Sequence, residues 1–243
     1  KERIDGHCTD IVTDLAVKWL KESRDDSKPF MLMVQHKAPH RAWMPALRHL
    51  KLYDDIDIPE PETLFDNYKD NAHPVRHQEM EIDRHMDPNY DLFVDLTADF
   101  TGTPIQKRQD RSARMNMTRM TEAQMKAWRA HYGPRDEAFH KANLKGKDLV
   151  RWKFQRYAKN YLRCVKGVDE SLGRLRATLR ELKLDNNTVV IYSSDQGFYI
   201  GDHGWYDKRW MYEESLKMPF IVSWPGVTKP GSRDTHMVQN IDY

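Results

Sequence analysis

Cysteine is scarce: Cys8 and Cys164 are the only two in 243 residues. That excludes a disulfide framework and any cysteine-based zinc spacing. Long apolar runs are missing too. The longest, Phe30 to Val34 and Thr188 to Tyr192, fall far short of the roughly 20 residues a membrane helix needs, so no membrane span is expected. The opening stretch KERIDGHCTD has no apolar h-region and does not read as a signal peptide. Excess charge of either sign is absent, since 39 basic and 37 acidic residues leave a formal net charge of +2. Neither nucleic acid nor an anionic membrane is therefore expected as the main partner. No Gly-rich phosphate loop, H-E-x-x-H or G-x-S-x-G occurs.

What is present is globular: 39% hydrophobic and 31% charged residues, enough to build a sizeable core. Asp10 to Lys21 carries a helical apolar stripe, with Thr9 or Asp10 placed to cap it. Phe30 to Gln35 is a short continuous apolar run, the pattern of a strand buried on both faces. From Pro45 to about Arg119 periodicity is lost among prolines and charges, which predicts a loop-rich insertion over one edge of the core. Thr121 and Gln124 form a capping-box pattern, opening a helix expected to stop at Gly133-Pro134 before a further helical piece to about Asn143. Asp148 to Leu182 is the longest periodic segment, and its Gly167 and Gly173 are expected to let it sit close to a sheet. Thr188 to Tyr192 and Phe220 to Trp224 read as strands. Strands alternating with helices predict an α/β domain with a mainly parallel central sheet. Lys1 and Tyr243 do not look like natural ends, and the chain reads as a piece of something longer.

Polar groups collect just past the predicted strands, where open α/β sheets hold their ligands. Asp195 and Gln196 are two oxygen donors suited to a hard cation such as Ca²⁺. The same residues also fit a plain Ser-Asp-Gln-Gly turn with Gly197 at positive φ, and spacing leaves both readings open. Lys208 is a compact positive charge able to meet an oxyanion, or an ordinary surface lysine beside Arg209. His203 sits in a Gly-Asp-His-Gly loop. His40 is a candidate acid or anion contact, or a histidine bonded at a strand end. Cys8 and Cys164 are expected to be small buried thiols.

Two segments carry a resemblance to a known family. The stretch VVIYSSDQGFYIGDHGWYDKRWMYEESLKMPFIVSWPG, residues 189–226, strongly resembles the C-terminal half of the type I, formylglycine-dependent sulfatases. FMLMVQHKAPHRAW, residues 30–43, resembles their middle segment. With GPRDEAFHKANLKG, residues 133–146, the likeness is to bacterial N-acetylglucosamine-6-O-sulfatases, while 53–120 matches only loosely. The resemblance implies an alkaline-phosphatase-like α/β catalytic domain and hydrolysis of a sulfate ester, at O6 of N-acetylglucosamine in a sulfated glycan such as a glycosaminoglycan. It makes Asp195 and Gln196 ligands of Ca²⁺, although many members have Asn or His at the second position. It makes Lys208 a contact to the sulfate and the leaving oxygen, His40 a candidate general acid, and His203 a contact to the sugar. It also implies a sulfated saccharide partner and an exported enzyme: periplasmic, secreted, or lysosomal in a eukaryote.

One departure limits what the resemblance carries. The family makes its formylglycine from Cys or Ser in a C/S-x-P/A-x-R motif, and neither Cys8-Thr-Asp-Ile nor Cys164-Val-Lys-Gly fits it. The chain is therefore expected to be the middle to C-terminal portion of the catalytic domain, inactive alone, with an insertion at about 45–119 and no C-terminal subdomain. A phosphatase or phosphodiesterase of the same superfamily is the enzymatic rival; two zinc ions in the whole protein would favour it. A non-catalytic homologue that binds sulfated glycan is the other, favoured if the whole protein lacks the Cys or Ser.

Overall fold

The computed structural model describes residues 4–94, 111–112 and 114–242. In chain order its elements are helices α1 (Cys8–Lys18), α2 (His73–Arg76), α3 (Glu122–Ala142) and α4 (Gly146–Glu181), then strands β1 (Val190–Ser193), β2 (Tyr199–Ile200) and β3 (Tyr206–Asp207), the one-turn helix α5 (Glu213–Leu216) and strand β4 (Phe220–Ser223). The 36-residue α4 is the backbone of the molecule because its apolar positions recur at helical spacing. Val150, Phe154, Tyr157, Ala158, Cys164 and Val168 are all buried along it. Trp43, Leu64, Ile82, Met86, Leu92, Val94 and Tyr206 complete the main core against it. α1 packs alongside through Thr13, whose hydroxyl donates to the Thr9 carbonyl and lies in hydrogen-bond contact with Ser171 Oγ at 2.7 Å. Among the described residues no helix is long and apolar enough to cross a membrane.

Several expectations are corrected. Phe30 to Gln35 is extended but joins no ladder among the described residues, and its side chains alternate, leaving Met31 82% and Met33 65% exposed. Trp19, just after α1, is edge-on to Phe30 at 5.8 Å on the covered side. Among the described residues the two strand pairs, β1 with β4 and β2 with β3, are both antiparallel. β2 and β3 are joined by the 201–205 loop, too short for a parallel crossover, whereas β4 returns antiparallel to β1 after residues 194–219, which hold β2, β3 and α5. The N-cap of α1 is His7, not Thr9 or Asp10, and it makes no side-chain cap bond. The helix also ends in a π turn over Trp19–Ser23.

The Thr121–Gln124 capping box forms as expected, but α3 runs through Gly133 and Pro134 to an Asn143 cap at φ 46°. Packing outweighs the lost backbone bond there, since Trp128 and Tyr132 lie in a second core and Phe139 stacks on Trp152 at 3.9 Å. Gly167 faces α1 rather than a sheet, and a Cβ there would meet Thr9 Cγ2 at an ordinary 3.9 Å, so neither glycine is required by a close approach; Gly173 faces open space. Cys164 is buried, and burial pushes its thiol up to about 12, whereas Cys8 is exposed on the first turn of α1. Of the expected insertion, residues 45–94 are turns with short helices, yet they supply Leu64, Ile82, Met86, Leu92 and Val94 to the main core; 95–110 and 113 lie outside the described residues.

A pH prediction arises from α3. His131 is buried, with Nε2 lacking a hydrogen-bond partner. Burial, reinforced by Arg135 and Arg163, lowers its pKa to about 4. The unfolded ring titrates near 6.5, so the stability gained by keeping it neutral is complete above that value and is lost as pH falls toward 4. His131→Phe is expected to remove up to about 3 kcal/mol of the acid sensitivity across that window. Urea unfolding of the two proteins at pH 7 and pH 4.5 measures it, and equal acid losses would count against it.

Candidate functional site

The loop after β1 and the loop after Val34 meet at one cleft of about 570 Å³, lined among others by Pro39, Tyr161, Ser194, Gln196, Phe198 and Glu214. Phe198 stacks on Tyr161 of α4 at 5.0 Å and lies edge-on to Trp43 at 6.1 Å, which fixes the cleft floor to the core. Gly197 does not adopt positive φ, contrary to the turn reading. Its requirement is space: a Cβ would stand 2.2 Å from the Glu214 carbonyl oxygen, and its N–H donates to Ser215 O at 2.8 Å.

Lys208 follows β3, with Nζ 6.0 Å from the centre of the Phe198 ring. Its neighbours Asp207 and Arg209 hold positive φ, 70° and 137°, conformations that ordinary residues keep only where the surroundings enforce them. Here β3 is tied down on several sides. Tyr206 N–H donates to Met80 O at 3.0 Å and Tyr206 O–H to His85 O at 3.1 Å. Buried Lys153 holds the 82–86 turn beneath by donating to the Ile82, Asp83 and Met86 carbonyls.

His40 is exposed on the second loop, next to Pro39 of the cleft. Its Nδ1 lies 2.6 Å from the Arg41 carbonyl oxygen. A carbonyl only accepts, so Nδ1 carries the hydrogen and Nε2 is the nitrogen left to face a ligand. The Ala38–Pro39 and Arg41–Ala42 peptide bonds on either side are cis. The Arg41 side chain turns inward and donates from Nε and Nη2 to the two oxygens of Asp91, the second at 2.7 Å. Burial pushes the Asp91 carboxyl up to about 6, against the pull of Arg41.

His203 lies between the two glycines that shape its loop. Gly201 and Gly204 have φ of 95° and 70°, and a Cβ on either would strike Phe154 or the Leu64 carbonyl. His203 itself is at φ 56°, held by its N–H to Thr63 Oγ1 at 2.8 Å and by Tyr68 O–H to its carbonyl. Its ring is flanked by two carboxylates: Nδ1 is 3.8 Å from Asp66 and Nε2 3.6 Å from Glu214. Sequence reasoning missed both. Glu214 stands in the Met-Tyr-Glu-Glu run, but Asp66 lies in the aperiodic segment, where no local pattern marks it.

Asp195 is exposed and Gln196 half-buried, the former with its carbonyl taken by Asn240 Nδ2 at 3.1 Å. Two hard oxygen donors fit Ca²⁺ in kind but not in number, since that ion takes six to eight oxygens. No group of three or more His, Cys, Asp or Glu side chains converges on a metal position among the described residues. Asp195 and Gln196 alone do not make a calcium site. Of the sequence-predicted residues, Gln196 itself lines this cleft; the His40 loop reaches it through Pro39, His203 lies beside its Glu214, and Lys208 stands behind the Phe198 ring at 6.0 Å, while Asp195 is not among its lining residues.

An α/β domain with cationic and oxygen-donor side chains at its strand ends is the setting for chemistry on an anionic ester. The chain belongs to the sulfatase family, whose profile, described as Sulfatase, matches residues 2–243. It is 40% identical over 240 residues to an N-acetylglucosamine-6-O-sulfatase of Bacteroides thetaiotaomicron, covering 98% of this chain and 42% of that protein. An arylsulfatase of Clostridium perfringens is 25% identical over 93% of this chain and 34% of its own length. Among solved structures, a protein in complex with its substrate D-glucosamine-2-N,6-O-disulfate superposes with a TM-score of 0.84 at 41% identity, over 94% of this chain and 45% of that one. The chain thus spans less than half the length of these relatives.

Proposed function

We propose that the protein carrying this chain hydrolyses sulfate esters, specifically the 6-O-sulfate of an N-acetylglucosamine unit in a sulfated glycan. The observation that carries this is the 40% identity to a 6-O-sulfatase across 98% of the chain, and the relative solved with a 6-O-sulfated glucosamine supports the same substrate class. In this reading the 243 residues form the middle to C-terminal portion of the catalytic domain. The enzyme is exported, as the family resemblance implies.

Each residue then has a physical task. Sulfate transfer leaves negative charge on the departing sugar oxygen, and Lys208 meets that charge with a compact ammonium. His40, with Nδ1 committed to a carbonyl, holds its transferable proton at Nε2 and delivers it to that oxygen. His203, set between Asp66 and Glu214, contacts the sugar. Asp195 and Gln196 supply two oxygens to a Ca²⁺ ion, which when bound adds positive charge against the sulfate oxygens. Neither Cys8 nor Cys164 lies in the formylglycine motif, so the nucleophile is not one of these residues.

The test is sulfate release by the whole protein from 6-O-sulfated N-acetylglucosamine, glucosamine-2-N,6-O-disulfate and 2-O- and 4-O-sulfated sugars. Release confined to the 6-O-sulfated compounds is expected. Release only from 2-O- or 4-O-sulfates would refute the substrate while leaving the family intact.

A further inference from the structure

We infer that Arg41 and Asp91 are positioning residues that aim the His40 imidazole; the inference rests on the proposed role of His40 as proton donor. An exposed imidazole is not oriented by packing, and the bond His40 makes is from Nδ1 to the Arg41 carbonyl oxygen at 2.6 Å. The direction of Nε2, the nitrogen that faces a departing oxygen, therefore follows wherever that carbonyl is held. What holds it is the side chain of the same residue. The Arg41 guanidinium stands 4.6 Å from the centre of the Tyr90 ring and 5.3 Å from that of Tyr206, and donates to both oxygens of Asp91. Asp91 is 0% exposed, and its Oδ2 also accepts the Asp87 N–H at 2.8 Å. Two-pronged guanidinium–carboxylate pairing fixes angle as well as distance, which a single contact does not.

The energetics point the same way. Withdrawing a carboxylate and a guanidinium from water is costly, and an apolar pair of similar volume is often as stable or more so. The pair therefore contributes geometry more than stability. Its reach extends past His40, because Tyr206 lies two residues before Lys208 on β3. One buried guanidinium thus contacts the supports of both groups proposed to meet the departing oxygen. Asp91 touches neither of them, so it acts only through Arg41.

A double-mutant cycle in the whole enzyme tests this, with kcat and KM for 6-O-sulfated N-acetylglucosamine read for Asp91→Asn, His40→Ala and the double variant. Asn keeps the shape of Asp and one acceptor, and because weakening a buried ion pair is itself destabilising, urea unfolding of each variant checks that the fold is retained. Asp91→Asn alone should lower kcat about 30-fold with KM changed less than about threefold, and His40→Ala about 100-fold. In the His40→Ala background Asp91→Asn should cost less than about threefold more, since a misaimed imidazole matters only when the imidazole is there. Losses that multiply would overturn the inference and leave His40 as the donor. A His40→Ala enzyme with unchanged kcat would overturn both. Arg41→Lys, which keeps the charge but not the two-pronged grip, is the second variant and should show the same dependence on His40.

Discussion

Lys208→Ala in the whole enzyme should lower kcat for 6-O-sulfated N-acetylglucosamine by about 1,000-fold, near the upper range for removing one preorganised charge-stabilising group. The expectation is large because the site leaves Lys208 little freedom of approach. Its backbone is set by the pairing of Tyr199 with Asp207 and by the positive φ values at Asp207 and Arg209. A backbone so fixed limits the space the ammonium must search as charge develops on the departing oxygen. KM should move much less, because the interaction strengthens only as the bond breaks. Lys208→Arg should recover little of the loss, since a planar fork does not reproduce a point charge at the end of a flexible stem. The fold should tolerate the change within about 0.5 kcal/mol, since Lys208 is not among the buried residues. A kcat within about threefold of the parent would remove Lys208 from the proposed mechanism.

The fold's local elements were legible in the sequence, and its long-range ties were not. α4 announced itself because Tyr157, Val165, Val168 and Leu179 repeat at helical spacing, and α3 because the reciprocal bonds of Thr121 and Gln124 need only three residues. Pro134 misled because its local penalty was overridden by aromatic packing that local rules do not count. The strand direction misled because alternation of strands and helices does not reveal which strand pairs with which. In the site, Asp195, Gln196, Lys208, His203 and His40 stood out as polar groups after apolar runs, but spacing left each beside an ordinary reading; the resemblance sharpened them. Asp91 stayed invisible for another reason. Its partner Arg41 is 50 residues away across segments without periodicity, and nothing near either residue signals the other. The same holds for Asp66 and Glu214 on either side of His203.

Trp43→Ala should destabilise the protein by about 4 kcal/mol, in the range for emptying a buried aromatic site. Trp43 is wholly buried, with its ring centre 4.6 Å from Tyr157 of α4, 6.1 Å from Phe198 of the cleft and 6.5 Å from Tyr206 of β3. Side chains from three separate segments would border the cavity, so no single neighbour can move in to fill it. Trp43→Phe separates ring from nitrogen. The indole Nε1 is buried with no hydrogen-bond partner, so phenylalanine removes a desolvated donor that gains nothing in the folded protein. Its cost should stay below about half that of alanine despite the smaller ring. Urea unfolding of the whole protein, followed alongside sulfate release, compares the two. Because the same ring stands two residues from Arg41 and against Tyr206, the alanine variant should lose activity while still folded, and the phenylalanine variant should retain most of it. An alanine cost within about 1 kcal/mol of zero would mean that the surrounding aromatics close over the gap, and that the cleft floor does not depend on Trp43.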